Sequence, residues 1–147
     1  MPGMNVFSTS PSQRPLGVGL LILRLALGLV FIVHGGQKLF LMGMGGTAGM
    51  LSQMGVPGAS LLGPLLAIAE PLAGVALVVG LLTRIAGLGV AIDMLGAILF
   101  FHRLHGFFVP TGIEFPMMLC ASGLALAALG AGPFSIDHAV SGRRNSN

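Results

Sequence analysis

The chain has 147 residues, 54% of them hydrophobic and only 7% charged, with a mean hydropathy of +0.97. A soluble domain carries roughly a quarter charged residues, so this chain could not cover a water-facing surface, and its solvent has to be lipid. Seven basic and four acidic residues, a net charge of +3, are too few for the clustered basic face of a nucleic-acid binder. The single cysteine, Cys120, excludes an intramolecular disulfide.

Residues 1–15 (MPGMNVFSTSPSQRP) are polar and proline-interrupted, which predicts a disordered tail. Leu16–Leu41 is the first spanning run. At about 1.5 Å per residue it exceeds the roughly 30 Å hydrocarbon core, so it can tilt. It is too long for a signal-peptide core, holds Arg24 and has no small-x-small cleavage site, so it reads as a retained membrane helix. Glycine-rich Met42–Ser60 follows, in which Thr47–Met54 is expected to form a short interfacial helix. Leu61–Leu82, Arg84–Phe101 and Phe115–Leu129 are the second, third and fourth spans. The near-absent connection Leu82-Thr83-Arg84 forces an antiparallel hairpin. His102–Gly112 (HRLHGFFVPTG) carries the densest polar cluster, and after the Gly132-Pro133 break residues 134–147 read as a polar tail.

The expected fold is therefore all-α: one integral-membrane domain over residues 16–133, an antiparallel four-helix bundle with a short interfacial segment between helices one and two. The 24 glycines suit close helix packing in lipid, with Gly63, Ala67 and Gly74 along one stripe of span two and Gly89 and Gly96 along one of span three. Arg14, Arg84, Arg143 and Arg144 flank one side of the membrane, against Lys38 and Arg103 on the other, which favours cytoplasmic termini.

The informative residues are ionisable groups at membrane depth, each costing about 2.5–3.5 kcal/mol when central and unpaired. These are Arg24, His34 and Lys38 in span one, Glu70 in span two and Asp93 in span three, with Glu114 at the mouth of span four. Counting from the cytoplasmic ends puts Arg24, Asp93 and Glu70 about 12, 14 and 18 Å deep, and His34 and His102 about 27 Å along. This predicts a central layer in which Arg24 pairs with Glu70 or Asp93, and an outer layer of His34, Lys38 and His102. Arg24, Phe31, His34 and Lys38 form one stripe of an ideal helix. Asp93 and His102, nine residues apart, fall on opposite faces unless the helix end unwinds. No metal or redox-cofactor motif is present, so neither a metal nor an intrinsic cofactor is expected.

Five segments carry a resemblance that covers roughly residues 16–138: LRLALGLVFIVHGGQKLF (Leu23–Phe40), MGVPG (Met54–Gly58), AEPLAGVALVVGLLTRIAG (Ala69–Gly87), GIEFPMML (Gly112–Leu119) and GAGPFSID (Gly130–Asp137). Together, in this order, they resemble the DoxX family of small four-helix bacterial membrane proteins. The chain lacks the basic residue that often precedes the aromatic in the family's closing segment, and the resemblance assigns no role to Asp93. The resemblance implies the bacterial inner membrane and a quinone-linked redox context, with other redox subunits or a homo-oligomer as partners alongside the lipid bilayer.

The preferred expectation is that a quinone, or a similar lipid-soluble redox substrate, binds within the bundle. His34 and Lys38 would hydrogen-bond a carbonyl, with Arg24 and Glu70 setting the local field and Asp93, His102 and Glu114 as secondary polar groups. Electrons would then come from a partner subunit. The alternatives are a non-catalytic scaffold that recruits or stabilises a redox or stress-response enzyme, and a small transporter. The latter lacks the inverted repeat and broken helices of many such proteins.

Overall fold

The computed structural model describes residues 13–144 and is helical throughout its ordered elements. The tail reading falls mostly outside the described residues; Gln13–Pro15 already belong to the first helix. The elements are α1 (Gln13–Gly36), a π-helical stretch (Gln37–Met42), α2 (Gly43–Gln53), α3 (Ala59–Val79), α4 (Thr83–Phe100), a 3₁₀ turn (His102–His105), α5 (Glu114–Leu129) and α6 (Ile136–Arg144). Three helical runs are long and apolar enough to cross a membrane: residues 14–53, α3 and α4. The fourth expected span, α5, is apolar but only 16 residues long, about 24 Å at helical rise, and packs along α4.

Small residues decide which helices meet. A methyl built on Gly28 would lie 2.7 Å from the Gly74 carbonyl oxygen, and one on Gly74 would lie 2.7 Å from the Gly28 carbonyl oxygen. Gly87 of α4 and Gly123 of α5 repeat this reciprocal arrangement at 2.7 and 2.6 Å. In lipid, where apolar burial gives helices no reason to associate, such backbone approach supplies the contact energy. The bundle is thus two glycine-locked pairs, α1 with α3 and α4 with α5. Span three packs through Gly87; Gly89 and Gly96 have no neighbour within 4 Å and contribute no such stripe, a correction to the expected one. Leu20, Leu27, Phe31, Leu77, Val90 and Leu126 fill the seam between the pairs. The apolar residues on the outer faces, Ile22, Leu29, Leu61, Leu72 and Ile92 among them, are exposed as lipid-facing side chains must be.

Gly74→Val and Gly123→Val are each expected to destabilise the bundle by about 1–3 kcal/mol or more, since backbone carbonyls cannot move aside as side chains do. Thermal melts followed by far-UV circular dichroism would check this. Gly89→Ala is the control expected to have no cost.

The expected interfacial helix exists but starts earlier and packs on protein. α2 lies against α3 where Gly63 meets the backbone of Ala48, and it buries Thr47 and Leu51. Gly43 makes the bend into it, with φ 71° and ψ 168°, a region open in practice only to glycine. Thr47 satisfies its buried hydroxyl on the Gly43 carbonyl at 3.0 Å. The short α3–α4 hairpin is observed as expected, with Leu82 at a positive φ of 50°. Residues expected to be only a polar tail fold into α6, whose Ser135 hydroxyl accepts the His138 amide at 3.1 Å as an N-cap.

Candidate functional site

Between the two helix pairs lies a cavity of about 500 Å³, within the usual range for a small-molecule site. Five ionisable residues from different elements reach it: His34 (α1), Lys38 (the π-helical stretch), Glu70 (α3), Asp93 (α4) and His102 (the 3₁₀ turn). The rest of the wall is apolar, with Phe31, Leu66, Met94 and Phe115 from the bundle and Met50 and Met54 closing it from the α2 side.

The local backbone explains how these side chains converge. Pro71 has no N–H and leaves the Ala67 carbonyl without its helical partner, beside Glu70. Gly35 lets α1 approach the Glu70–Pro71 step, which an added Cβ would block. One residue beyond Gly36 the ladder widens into a π-helix, which changes the phase of the helix face and carries Lys38. Lys38 Nζ donates to Glu70 Oε1 in the sole ion pair among the described residues, with Glu70 only 3% exposed. Asp93 faces the Glu70 carboxyl and feels Lys38, and its buried Oδ2 has no hydrogen-bond partner. The site therefore holds two carboxyls for one ammonium.

His34 is exposed, at the edge of the cavity, with its ring 6.4 Å from that of Phe115. α4 ends at Phe100, and Phe101 (φ −122°, ψ −62°) leaves the helix, so His102 reaches the same cavity as Asp93. The unwinding that the helical phase demanded is what occurs. His102 Nδ1 lies 2.6 Å from the Thr111 carbonyl oxygen and donates to it, which leaves Nε2 as the acceptor of the neutral ring.

Two expected site residues are elsewhere. Arg24, 1% exposed, pairs with neither Glu70 nor Asp93; its Nη1 donates to the Ala131 carbonyl at 2.6 Å and its Nη2 to the Phe134 carbonyl at 2.8 Å. The two-layer layout is corrected accordingly: Glu70 and Asp93 belong with His34, Lys38 and His102, and Arg24 is a separate anchor for the segment after α5. Glu114 does not line the cavity. Its Oε1 accepts the Val109 amide at 2.6 Å and so ties down the loop before α5. Asp137, absent from the expected site residues, has a carboxylate that accepts the Leu82 and Thr83 amides at 2.8 and 2.9 Å and caps α4 from a distant element. The signal was present in Ser135-Ile-Asp-His, a helix-start pattern inside an apparent tail.

Comparisons with known proteins agree on one lineage. The DoxX family model matches residues 19–103. The chain is similar to a protein of Bacillus subtilis (strain 168) named "Putative oxidoreductase CatD", at 34% identity over 136 residues, covering 92% of this chain and 97% of that protein. It is also similar to the "Uncharacterized membrane protein Rv3486" of Mycobacterium tuberculosis (strain ATCC 25618 / H37Rv), at 38% identity over 76 residues. That match covers 52% of this chain and 46% of the relative, so the chain spans about half of that protein's length. No solved structure matches significantly. With the family model over more than half of the chain and a relative matched along nearly its whole length, this membrane protein belongs to the DoxX family.

Proposed function

We propose that the protein is a membrane subunit of a quinone-linked redox system in the bacterial cytoplasmic membrane, with cytoplasmic termini, and that the cavity holds a quinone head group. The observation that carries this reading is the convergence of five ionisable side chains on one otherwise apolar cavity among helices apolar enough to span a membrane, where such groups are expensive and tend to serve function. A quinone offers two carbonyl acceptors on a flat apolar ring. Lys38 and the exposed His34 ring supply donors at one end of the cavity. Asp93 of α4 and His102 just beyond it add a carboxyl and an imidazole to the wall, and the methionine and phenylalanine walls suit the ring. Electrons come from a partner protein. The relative named as an oxidoreductase supports a redox setting.

The test is saturable binding of a short-chain quinone to the purified protein in nanodiscs, together with quinone analysis of the native lipid extract. His34→Ala is expected to weaken binding about tenfold, the loss of one hydrogen bond worth about 1.4 kcal/mol. If no quinone is retained and no saturable binding is measured, the reading fails. Unchanged quinone-dependent activity of host membranes carrying His34→Ala, with a loss of a partner enzyme when the whole protein is deleted, would point to a scaffold instead.

A further inference from the structure

At the opposite end of the bundle from the cavity, the start of α1, the α3–α4 turn and α6 enclose an open groove of about 950 Å³. Its rim carries Arg14 and Arg84, both exposed. The carboxylate of Asp137 also lies there, but it is engaged by the Leu82 and Thr83 amides. Arg14 and Arg84 outnumber the Asp137 carboxylate, which the buried Arg24 also offsets, so the rim is cationic and complements a phosphodiester.

Arg84 is held in place without being used up. Its Nη1 donates to the Ala127 and Ala128 carbonyls at 2.9 and 2.8 Å, capping the end of α5. The opposite edge of the guanidinium faces Gly130, where even a methyl would come within 3.4 Å of Nε and Nη2. Nε and Nη2 hold no hydrogen bond to the described residues, and the Arg84 side chain is exposed. The floor and walls are apolar, including Ile85 (68% exposed), Leu129 (56%) and Phe134 (51%). Ile85 and Leu129 belong to α4 and α5, whose outer faces meet lipid, so the groove runs from a cationic rim into the hydrocarbon.

We propose that this groove binds one anionic phospholipid, its phosphate at Arg14 and Arg84 and one acyl chain along Ile85, Leu129 and Phe134. Cationic rim and apolar wall together select a lipid over free phosphate, because free phosphate gains nothing from the wall. Basic pockets on the cytoplasmic side of helix bundles recognise anionic head groups by the same chemistry. The proposal is independent of what the cavity holds.

Native mass spectrometry of the full chain, exchanged into phosphatidylglycerol, phosphatidylethanolamine or phosphatidylcholine, tests it. One phosphatidylglycerol is expected to be retained preferentially. Arg14→Gln is expected to lower its affinity about fivefold, what one surface basic residue contributes. Arg103→Gln, remote from the groove, is expected to have no effect. Arg84→Gln is expected to lower affinity as well, and Arg14→Gln remains decisive if loss of the α5 cap unfolds that variant. Equal retention of the three lipids, an unchanged Arg14→Gln affinity, or displacement of the lipid by inorganic phosphate would each overturn the proposal.

Discussion

Replacing Glu70 and Asp93 together by their amides is expected to destabilise the protein by about 3 kcal/mol, more than the two single changes combined. The reason is the charge count in the cavity. Lys38 has Glu70 as its direct partner, and Asp93 faces that pair from beyond ion-pair distance. Asp93→Asn removes the surplus carboxyl and leaves Lys38–Glu70 intact, so it is expected to be close to neutral. Glu70→Gln removes the direct partner but leaves Asp93 to take over, at a cost of about 1–2 kcal/mol. Only the double change strands an ammonium that is 22% exposed inside a lipid-embedded bundle. Adding Lys38→Met to the double variant is expected to recover most of the loss, since an apolar replacement of a buried pair is often neutral. Far-UV circular dichroism melts of the four variants in one detergent measure this, the chain having no Trp or Tyr for fluorescence. Strict additivity of the two amide changes would show that Asp93 does not substitute for Glu70, and the reading of a shared ammonium would be wrong.

The features legible in the sequence are those that a membrane makes costly. Hydrophobic runs located the four apolar helices to within about three residues, with α1 and the π-helical stretch taken together, because lipid leaves no other way to satisfy a spanning backbone. His34, Lys38, Glu70 and Asp93 stood out as ionisable groups in apolar runs, and all four line one cavity. What could not be read was pairing. Arg24 is held by two backbone carbonyls, and every residue has a carbonyl, so no side-chain pattern announces that partner. A depth counted at about 1.5 Å per residue holds only along a uniform α-helix. The π-helical stretch and the unwinding at Phe101 both depart from it; Lys38 still falls on the face of Phe31 and His34, whereas His102 reaches the site only because α4 ends at Phe100. α2 was hard to delimit because Gly43-Met-Gly-Gly-Thr-Ala-Gly is a poor helix former. Its contact with α3 overrides that propensity, and such contact is a tertiary fact.

Arg24→Lys is expected to cost about 2–4 kcal/mol despite conserving the charge. The guanidinium uses two different nitrogens to hold the Ala131 and Phe134 carbonyls, three residues apart, from a position 1% exposed. A lysine offers one nitrogen on a flexible stem and cannot span both, so a buried carbonyl is left without a partner at about 1–3 kcal/mol. The loss extends beyond the contact itself. The turn that Arg24 holds leads into Ser135 and Asp137; Asp137 donates its amide to the Gly80 carbonyl at 2.9 Å and caps α4 with its carboxylate. Loosening the turn should therefore uncap α4 and expose the segment from Gly130 to α6 to protease. Faster chymotryptic cleavage after Phe134, together with a lower melting temperature, is the expected result. On the proposed reading of the cavity, quinone affinity of the variant that remains folded should be unchanged, because Arg24 is not on the cavity wall. A variant that melts like the wild type but has lost its ligand would return Arg24 to the site and overturn its assignment as an anchor.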